Sequence, residues 1–143
     1  MKIAMLRFVG MISLALMMAG CTKYEDGPAI SFRSRESRLA QNWIATQVFR
    51  NQIDESSQYL VYNMIFDKGG RLNWRIQTPT TPLVESGSAW EFAVVDEQIK
   101  LTLDPVNGET KLLYIEIRRL TGDELWIHFL TEGDYYDVRF RPA

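Results

Sequence analysis

The chain is poor in the residues that build covalent cross-links and metal sites. Its 143 residues include one cysteine and one histidine. A single cysteine forms no intrachain disulfide and no cysteine-rich zinc site, and a single histidine excludes a site with several imidazole ligands. We therefore expect neither a metal site nor a bound cofactor.

The chain also lacks an excess of basic charge. It carries 16 lysines and arginines against 18 acidic residues, and the two signs are interspersed. Because nucleic-acid-binding proteins favour a basic face, this balance argues against a nucleic-acid partner.

No apolar run is long enough to span a membrane. The longest, FVGMISLALMMAG, is about a dozen residues, whereas a spanning helix needs roughly 20. Lys2 and Arg7 precede it and small residues end it. This arrangement is typical of a cleaved secretory signal, which we assign to residues 1–20.

The only cysteine follows that signal directly. The segment Leu16-Met17-Met18-Ala19-Gly20-Cys21 resembles the lipobox of bacterial lipoproteins, with Met18 where Leu is usual. The resemblance implies cleavage before Cys21, a diacylglycerol thioether on its sulfur and a further acyl chain, such as palmitate, on its amino group. Two or more acyl chains hold a protein stably on a membrane. We therefore expect a lipid anchor in the bacterial outer membrane, on its periplasmic or surface face. An ordinary secretory signal followed by an unmodified cysteine is the alternative.

Removing 20 of the 143 residues leaves 123, enough for one domain with a real core. Residues 21–37 are polar and are broken by Gly27-Pro28, so we predict a lipidated tether there and a folded domain over 38–143. Glu25-Asp26 resembles a surface-export signal of Bacteroidota lipoproteins, and a plain solvated tether is the alternative.

Short segments with alternating polarity fill the rest of the chain. In LNWRI, for example, Leu72, Trp74 and Ile76 share one face, which is the period of two of a strand with one buried face. Eight such segments occur, in the order WIATQVF, YLVYNMIF, LNWRI, AWEFAV, IKLTL, LLYIEIR, ELWIHFL and YYDVRFR.

Turn residues separate these segments, among them Asp67-Lys68-Gly69-Gly70 and Asn107-Gly108. Residues 78–88 form the longest predicted loop, and residues 35–41 form at most a short helical turn. Eight strands in succession predict an all-β, eight-stranded antiparallel up-and-down barrel, whose closure removes exposed edges. A two-sheet β-sandwich has the same periodicity and remains the alternative.

Several short motifs carry a family resemblance. They are Gly27-Pro28, Ile30-Ser31, Arg33-Ser34, Arg38-Leu39, Trp43 and the later Leu120-Thr121 with Glu124-Leu125. The chain is similar in these motifs to lipocalin-like lipoproteins of Bacteroidota, and the resemblance implies an eight-stranded barrel. It also implies that Trp43 caps the closed end, with Arg139 or Arg141 stacked on it. The Gly-x-Trp of lipocalins is here Gln41-Asn42-Trp43, which keeps only the Trp.

The inferred interior set consists of large apolar side chains that could line a ligand pocket. It comprises Tyr62, Met64, Phe66, Trp74, Trp90, Phe92, Ile115, Ile127 and Phe129. The same side chains could equally fill the barrel solid.

The chain shows no recognisable catalytic constellation. His128 shares a strand face with Trp126 and Leu130, which is typical of a surface or packed histidine and not of a catalytic base. The loop serines lack a nucleophile elbow, and the adjacent acids Asp123-Glu124 do not face each other across a cleft. We therefore expect no enzymatic activity.

Two functions remain open. The first is a membrane-anchored barrel that binds a small hydrophobic ligand. The second is a non-catalytic scaffold that docks on another envelope protein through outward Trp126, Tyr114 and Tyr59. A cavity of a few hundred cubic ångströms favours the first function, and a filled barrel with an exposed aromatic patch favours the second.

Overall fold

The computed structural model describes residues 33–94, 97–105 and 107–143. The predicted signal peptide, Cys21 and most of the predicted tether lie outside these residues. The described chain is almost entirely β-structure. Its elements are α1 (Arg35–Leu39), β1 (Asn42–Arg50), β2 (Ile53–Asp54), a 3-10 helix (Ser56–Gln58), β3 (Val61–Phe66), β4 (Arg71–Gln77), β5 (Val84–Phe92), β6 (Gln98–Leu103), β7 (Leu112–Leu120), β8 (Leu125–Thr131) and β9 (Asp134–Pro142).

The sheet closes on itself. Strands β3 to β9 pair antiparallel in chain order, and β1 pairs with both β3 and β9. These eight strands form a closed up-and-down barrel, which confirms the predicted fold and excludes the sandwich. The two-residue β2 is an extra strand on β1.

Alternation along each strand turns one face inward. On β7, Ile115 and Ile117 are buried, while Tyr114 is exposed. The buried set extends from Leu39 to Phe140 and forms one hydrophobic cluster. The described residues therefore contain a complete hydrophobic core, and the seam between β1 and β9 leaves no barrel strand unpaired.

Helix α1 covers one end of the barrel, which we call the helix end. Ser34 caps the helix, accepting a hydrogen bond from the backbone N–H of Ser37 at 3.1 Å. Leu39 is fully buried, and the Arg38 guanidinium donates to the Leu120 carbonyl at 3.1 Å. Gln41 donates its side-chain amide to the Gly122 carbonyl, also at 3.1 Å. The helix is thereby tied to the turn between β7 and β8.

Two boundaries differ from the sequence prediction. Helix α1 begins at Arg35, so packed structure starts inside the segment 21–37 that was assigned to the tether. Strand β5 begins at Val84, inside the predicted loop 78–88. The Ser-Gly-Ser run that disfavours a strand locally is held by pairing with β4, from Ile76↔Val84 to Leu72↔Ser88.

Among the described residues, none of the helices has the length and apolar character to cross a membrane.

Candidate ligand site

The interior of the barrel is packed differently at its two ends. At the helix end, Trp43 is fully buried and its Nε1 donates to the Leu39 carbonyl at 2.9 Å. Trp90 also lies at this end, and its Nε1 donates to the Asp67 carbonyl at 3.0 Å. The Trp90 ring meets Phe66 and Phe92 edge-on, with centroids 5.6 Å apart in both pairs. The paired indole N–H groups and the edge-to-face rings make this half a solid core.

The opposite end, which no α-helix of the described chain covers, is called the open end. A continuous row of five rings lines the interior here, which we name the open-half aromatic cluster: Tyr59, Tyr62, Trp74, Phe129 and Tyr136. Neighbouring centroids along this row are 5.2, 6.0, 5.7 and 5.2 Å apart. Tyr62 and Phe129 are buried, but the other three rings are only partly buried although they face the core. Part of this aromatic surface therefore remains available to another molecule.

A hollow opens beside this cluster. Strand β1 pairs with β3 only from Asn42 to Ile44, and further on it pairs with β2. The wall separates between these pairings and leaves a hollow of about 320 Å³. Its lining mixes apolar and aromatic side chains with polar ones; it includes Val48, Tyr59 and Tyr62 together with Thr46, Ser56, Asn63 and Arg75. Small-molecule sites begin at about 300 Å³, so this volume suits a small ligand.

Ionisable groups lie beside the cluster or the hollow without entering the row of rings. Arg50 donates two hydrogen bonds to Glu55, at 2.7 and 3.0 Å. Arg75 lies at the outer lip and pairs with Glu85 at 2.7 Å. Burial raises the pKa of the Tyr62 hydroxyl well above its ordinary value, and burial likewise raises the pKa of Tyr59. The cluster is therefore an apolar site with neutral phenols.

All nine residues of the inferred interior set face the core. Seven are buried, and Trp74 and Phe92 are partly buried and packed against the core. The structure divides them by position: Tyr62, Trp74 and Phe129 belong to the open-half aromatic cluster. The set at the helix end or mid-barrel is Met64, Phe66, Trp90, Phe92, Ile115 and Ile127. Their role in ligand binding stays a prediction.

The expected stacking of an arginine on Trp43 does not occur. Arg139 lies on the outer wall, with its guanidinium carbon 4.3 Å from the centroid of Trp126. Arg141 is exposed, and its one hydrogen bond among the described residues goes to the Pro142 carbonyl. Both arginines alternate with the buried Val138 and Phe140, so the pleat of β9 turns them outward.

The outer wall holds the remaining polar chemistry. His128 Nδ1 lies 2.8 Å from Asp137 Oδ1, and its ring stacks on Tyr135. A hollow of about 380 Å³ lies between Phe49 and Trp126 on this wall. No group of three or more metal-ligating side chains occurs in the part of the chain that the structure describes.

Sequence reasoning missed two members of the cluster. Tyr136, in the segment YYDVRFR, was not assigned to the interior set, and Tyr59 was expected to face outward. Tyr59 follows the 3-10 helix instead of lying within a strand, so strand alternation did not determine its direction. It packs on Tyr62 at 5.2 Å and is partly buried, which corrects that expectation.

Neither a protein-family model nor a curated protein matches the sequence. Among solved structures, the chain is similar to a lipocalin-like protein from Bacteroides uniformis, with 15% sequence identity. The match covers 74% of this chain and 99% of that one, with a TM-score of 0.49. A likeness this remote says nothing about ligand or activity, and the barrel itself is established by its strand order.

Proposed function

We propose that the protein is a non-catalytic, lipid-anchored lipoprotein of the bacterial cell envelope whose barrel binds a small apolar ligand at its open end. The anchoring rests on the lipobox resemblance at Cys21. The binding rests on one observation, which is the contrast between a sealed helix end and an open-half aromatic cluster whose rings are only partly buried.

The chemistry of the cluster supports this proposal. Five aromatic faces in one row offer a large apolar surface at a low cost in side-chain entropy. The hollow beside Tyr59 and Tyr62 provides a route from solvent through the gap between β1 and β3. A flat molecule with an apolar ring system fits the five-ring row.

The ligand proposal is tested on the barrel of residues 33–143. Native extraction followed by mass spectrometry should recover a stoichiometric small molecule, and calorimetry should give saturable binding of apolar probes. Tyr59→Ala should weaken that binding roughly two- to tenfold, the range expected for one lost aromatic contact. The matched control is Tyr114→Ala, whose side chain is half exposed on the outer wall and should leave affinity unchanged. Absence of both a co-purified molecule and saturable binding would refute the proposal.

The anchoring proposal is tested in cells. The full chain should incorporate labelled palmitate and fractionate with the outer membrane, and Cys21→Ser should lose the label. A label that persists in the Cys21→Ser variant would contradict lipidation at this residue.

A second candidate, docking on another envelope protein, is favoured by a separate observation. The registers Ile115↔Phe129 and Leu130↔Tyr135 bring Tyr114, Leu130 and Tyr135 into one row across β7, β8 and β9. Each of the three is about half exposed on the outer wall. In-cell crosslinking of the full chain should yield an adduct that Tyr135→Ser reduces, and an unchanged adduct pattern would remove this candidate.

A further inference from the structure

One hydrogen-bond donor inside the barrel has no acceptor. Trp74 Nε1 is fully buried and makes no hydrogen bond within the described residues. The indole N–H groups of Trp43 and Trp90, which face the same interior, each donate to a backbone carbonyl. Arg38 Nε and Asn42 Oδ1 are also buried without a hydrogen bond, but they lie at the helix end, away from the open-half aromatic cluster. Because buried polar groups in native proteins are nearly always paired, the Trp74 donor inside this cluster calls for a partner.

A second polar group converges on this donor. The rings of Trp74 and Tyr62 are stacked, with centroids 6.0 Å apart and planes inclined by 24°. Burial raises the pKa of the Tyr62 hydroxyl, and the Trp74 indole N–H opposes this as a smaller effect. The pair nevertheless falls short of hydrogen-bond geometry. The Trp74 indole N–H and the Tyr62 hydroxyl thus belong to two stacked rings of the open-half aromatic cluster, and Tyr62 lines its hollow.

The arginines near Trp74 indicate whether the ligand group that accepts this hydrogen bond is charged. The two arginines that border the site, Arg50 and Arg75, are each engaged by a carboxylate at 2.7 Å. A ligand carboxylate placed beside Trp74 would therefore be buried without an unengaged cation, which is strongly unfavourable. A neutral carbonyl oxygen accepts the same hydrogen bonds at a much smaller desolvation cost.

We propose that the ligand is a flat apolar molecule with an uncharged carbonyl group, such as a ketone, ester or amide, whose oxygen accepts from Trp74 Nε1 and the Tyr62 hydroxyl. This inference rests on the proposed function and specifies its ligand class. The ring system stacks among the open-half aromatic cluster, and the carbonyl enters first. Fatty acids, whose polar end is a carboxylate, are disfavoured in that orientation.

Three probes of one shape test the inference on the barrel of residues 33–143. They are 2-acetylnaphthalene, its hydrocarbon analogue 2-ethylnaphthalene and the anion 2-naphthoate. We expect calorimetry to show that the ketone binds about 5–30-fold more tightly than the other two, the factor that one or two hydrogen bonds contribute. Trp74→Phe keeps a ring and removes the N–H, so it should reduce ketone affinity to the level of the hydrocarbon. Trp126→Phe on the outer wall is the control and should change nothing.

A second readout does not depend on any variant folding well. In the unmodified barrel, the ketone should shift the Trp74 indole N–H resonance downfield, and the hydrocarbon should not. Equal binding of ketone and hydrocarbon, or tighter binding of the naphthoate, would overturn the carbonyl inference and leave apolar binding intact. Failure of all three probes to bind would overturn both the inference and the proposed function for ligands of this shape.

Discussion

Two tryptophans on opposite sides of the wall show how position decides what a residue does. Trp43 is fully buried under helix α1 and donates its Nε1 hydrogen to the Leu39 carbonyl. Trp126 lies on the outer face, within 4.3 Å of Arg139 and 5.3 Å of Arg119. Trp43 joins the helix to the barrel, and Trp126 makes cation–π contacts with two surface arginines.

Trp43→Phe should therefore lower the free energy of unfolding by about 1–3 kcal/mol, because the variant loses a buried hydrogen bond and leaves a void. Trp126→Phe should lower it by less than about 1 kcal/mol, since it weakens only exposed cation–π contacts. Urea unfolding of both variants measures the difference. Equal losses would show that Trp43 does not hold the helix end.

Tyr62 predicts a loss of stability at alkaline pH. Burial raises its pKa in the folded state well above the ordinary value of about 10. Above pH 10 the unfolded chain releases the phenol proton while the folded chain retains it, so stability falls as pH rises through this range and is unaffected below it. Unfolding in urea at pH 8 and pH 11 should show this loss, and Tyr62→Phe should reduce it. The control Tyr135→Phe, which lies on the outer wall, should leave the alkaline loss of stability unchanged. If Tyr62→Phe loses as much stability between pH 8 and pH 11 as the native chain, the loss arises from another group.

At the scale of elements, alternation predicted the strands and their faces but not how the sheet closes. The inward sides of β4, β7 and β8 follow from a period of two in LNWRI, LLYIEIR and ELWIHFL. The same period suits a sandwich, and only the pairing of β1 with β9 decides for the barrel. The β1–β3 gap was not predictable, because it depends on β2, a two-residue strand too short to give a periodic signal. The inward direction of Tyr62, Trp74 and Phe129 was therefore predicted. Tyr59, Tyr136 and the entrance were not assigned to the site.

Gly87 on β5 shows a local constraint of the sheet. A Cβ at this position would overlap the Asp104 carboxylate and come within 2.8 Å of Arg71 Nη2. These two side chains form a bidentate ion pair across β5, with contacts of 2.7 and 3.0 Å, and both are about half exposed. Glycine leaves room for this pair to cross the strand.

Gly87→Ala should therefore change the free energy of unfolding little in the native chain. Alanine lowers the entropy of the unfolded chain, which stabilises the fold, but its Cβ displaces the exposed ion pair, which destabilises the fold by a similar amount. In an Arg71→Gln background that pair is already absent, so Gly87→Ala should stabilise the barrel by about 0.4–1 kcal/mol. Thermal unfolding of the four chains of this cycle gives the coupling. If Gly87→Ala has the same effect in both backgrounds, steric overlap with the Arg71–Asp104 ion pair is not what requires glycine at this position.

Over the whole molecule, stability should be graded along the barrel axis. The helix end combines a solid core with hydrogen bonds that tie α1 to the β7–β8 turn. The half of the barrel towards the open end carries eight of the nine exposed large hydrophobic side chains of the described residues: Ile53, Leu60, Leu83, Val84, Leu112, Tyr114, Leu130 and Tyr135. Regions with fewer buried contacts open more readily, so local unfolding should begin at the open end.

Hydrogen exchange tests this gradient. Amides from the 3-10 helix through the first half of β3 should exchange faster than those at the end of β7 and the start of β8. A ligand bound at the open-half aromatic cluster should slow exchange in the first group and leave the second unchanged. Uniform exchange across the barrel, or protection confined to the helix end, would contradict both the gradient and the position of the site.

The seam between β1 and β9 has a practical consequence for anyone who alters the chain. The backbone N–H of Ala143 donates to the Asn42 carbonyl at 3.0 Å, so the last residue lies beside the first barrel strand, at the helix end. A short linker could join residue 143 to residue 33, and new termini could be cut at the exposed Asn107–Gly108 turn. A dye or affinity handle added after Ala143 would likewise emerge at the end opposite the open-half aromatic cluster, where it would not obstruct an incoming molecule.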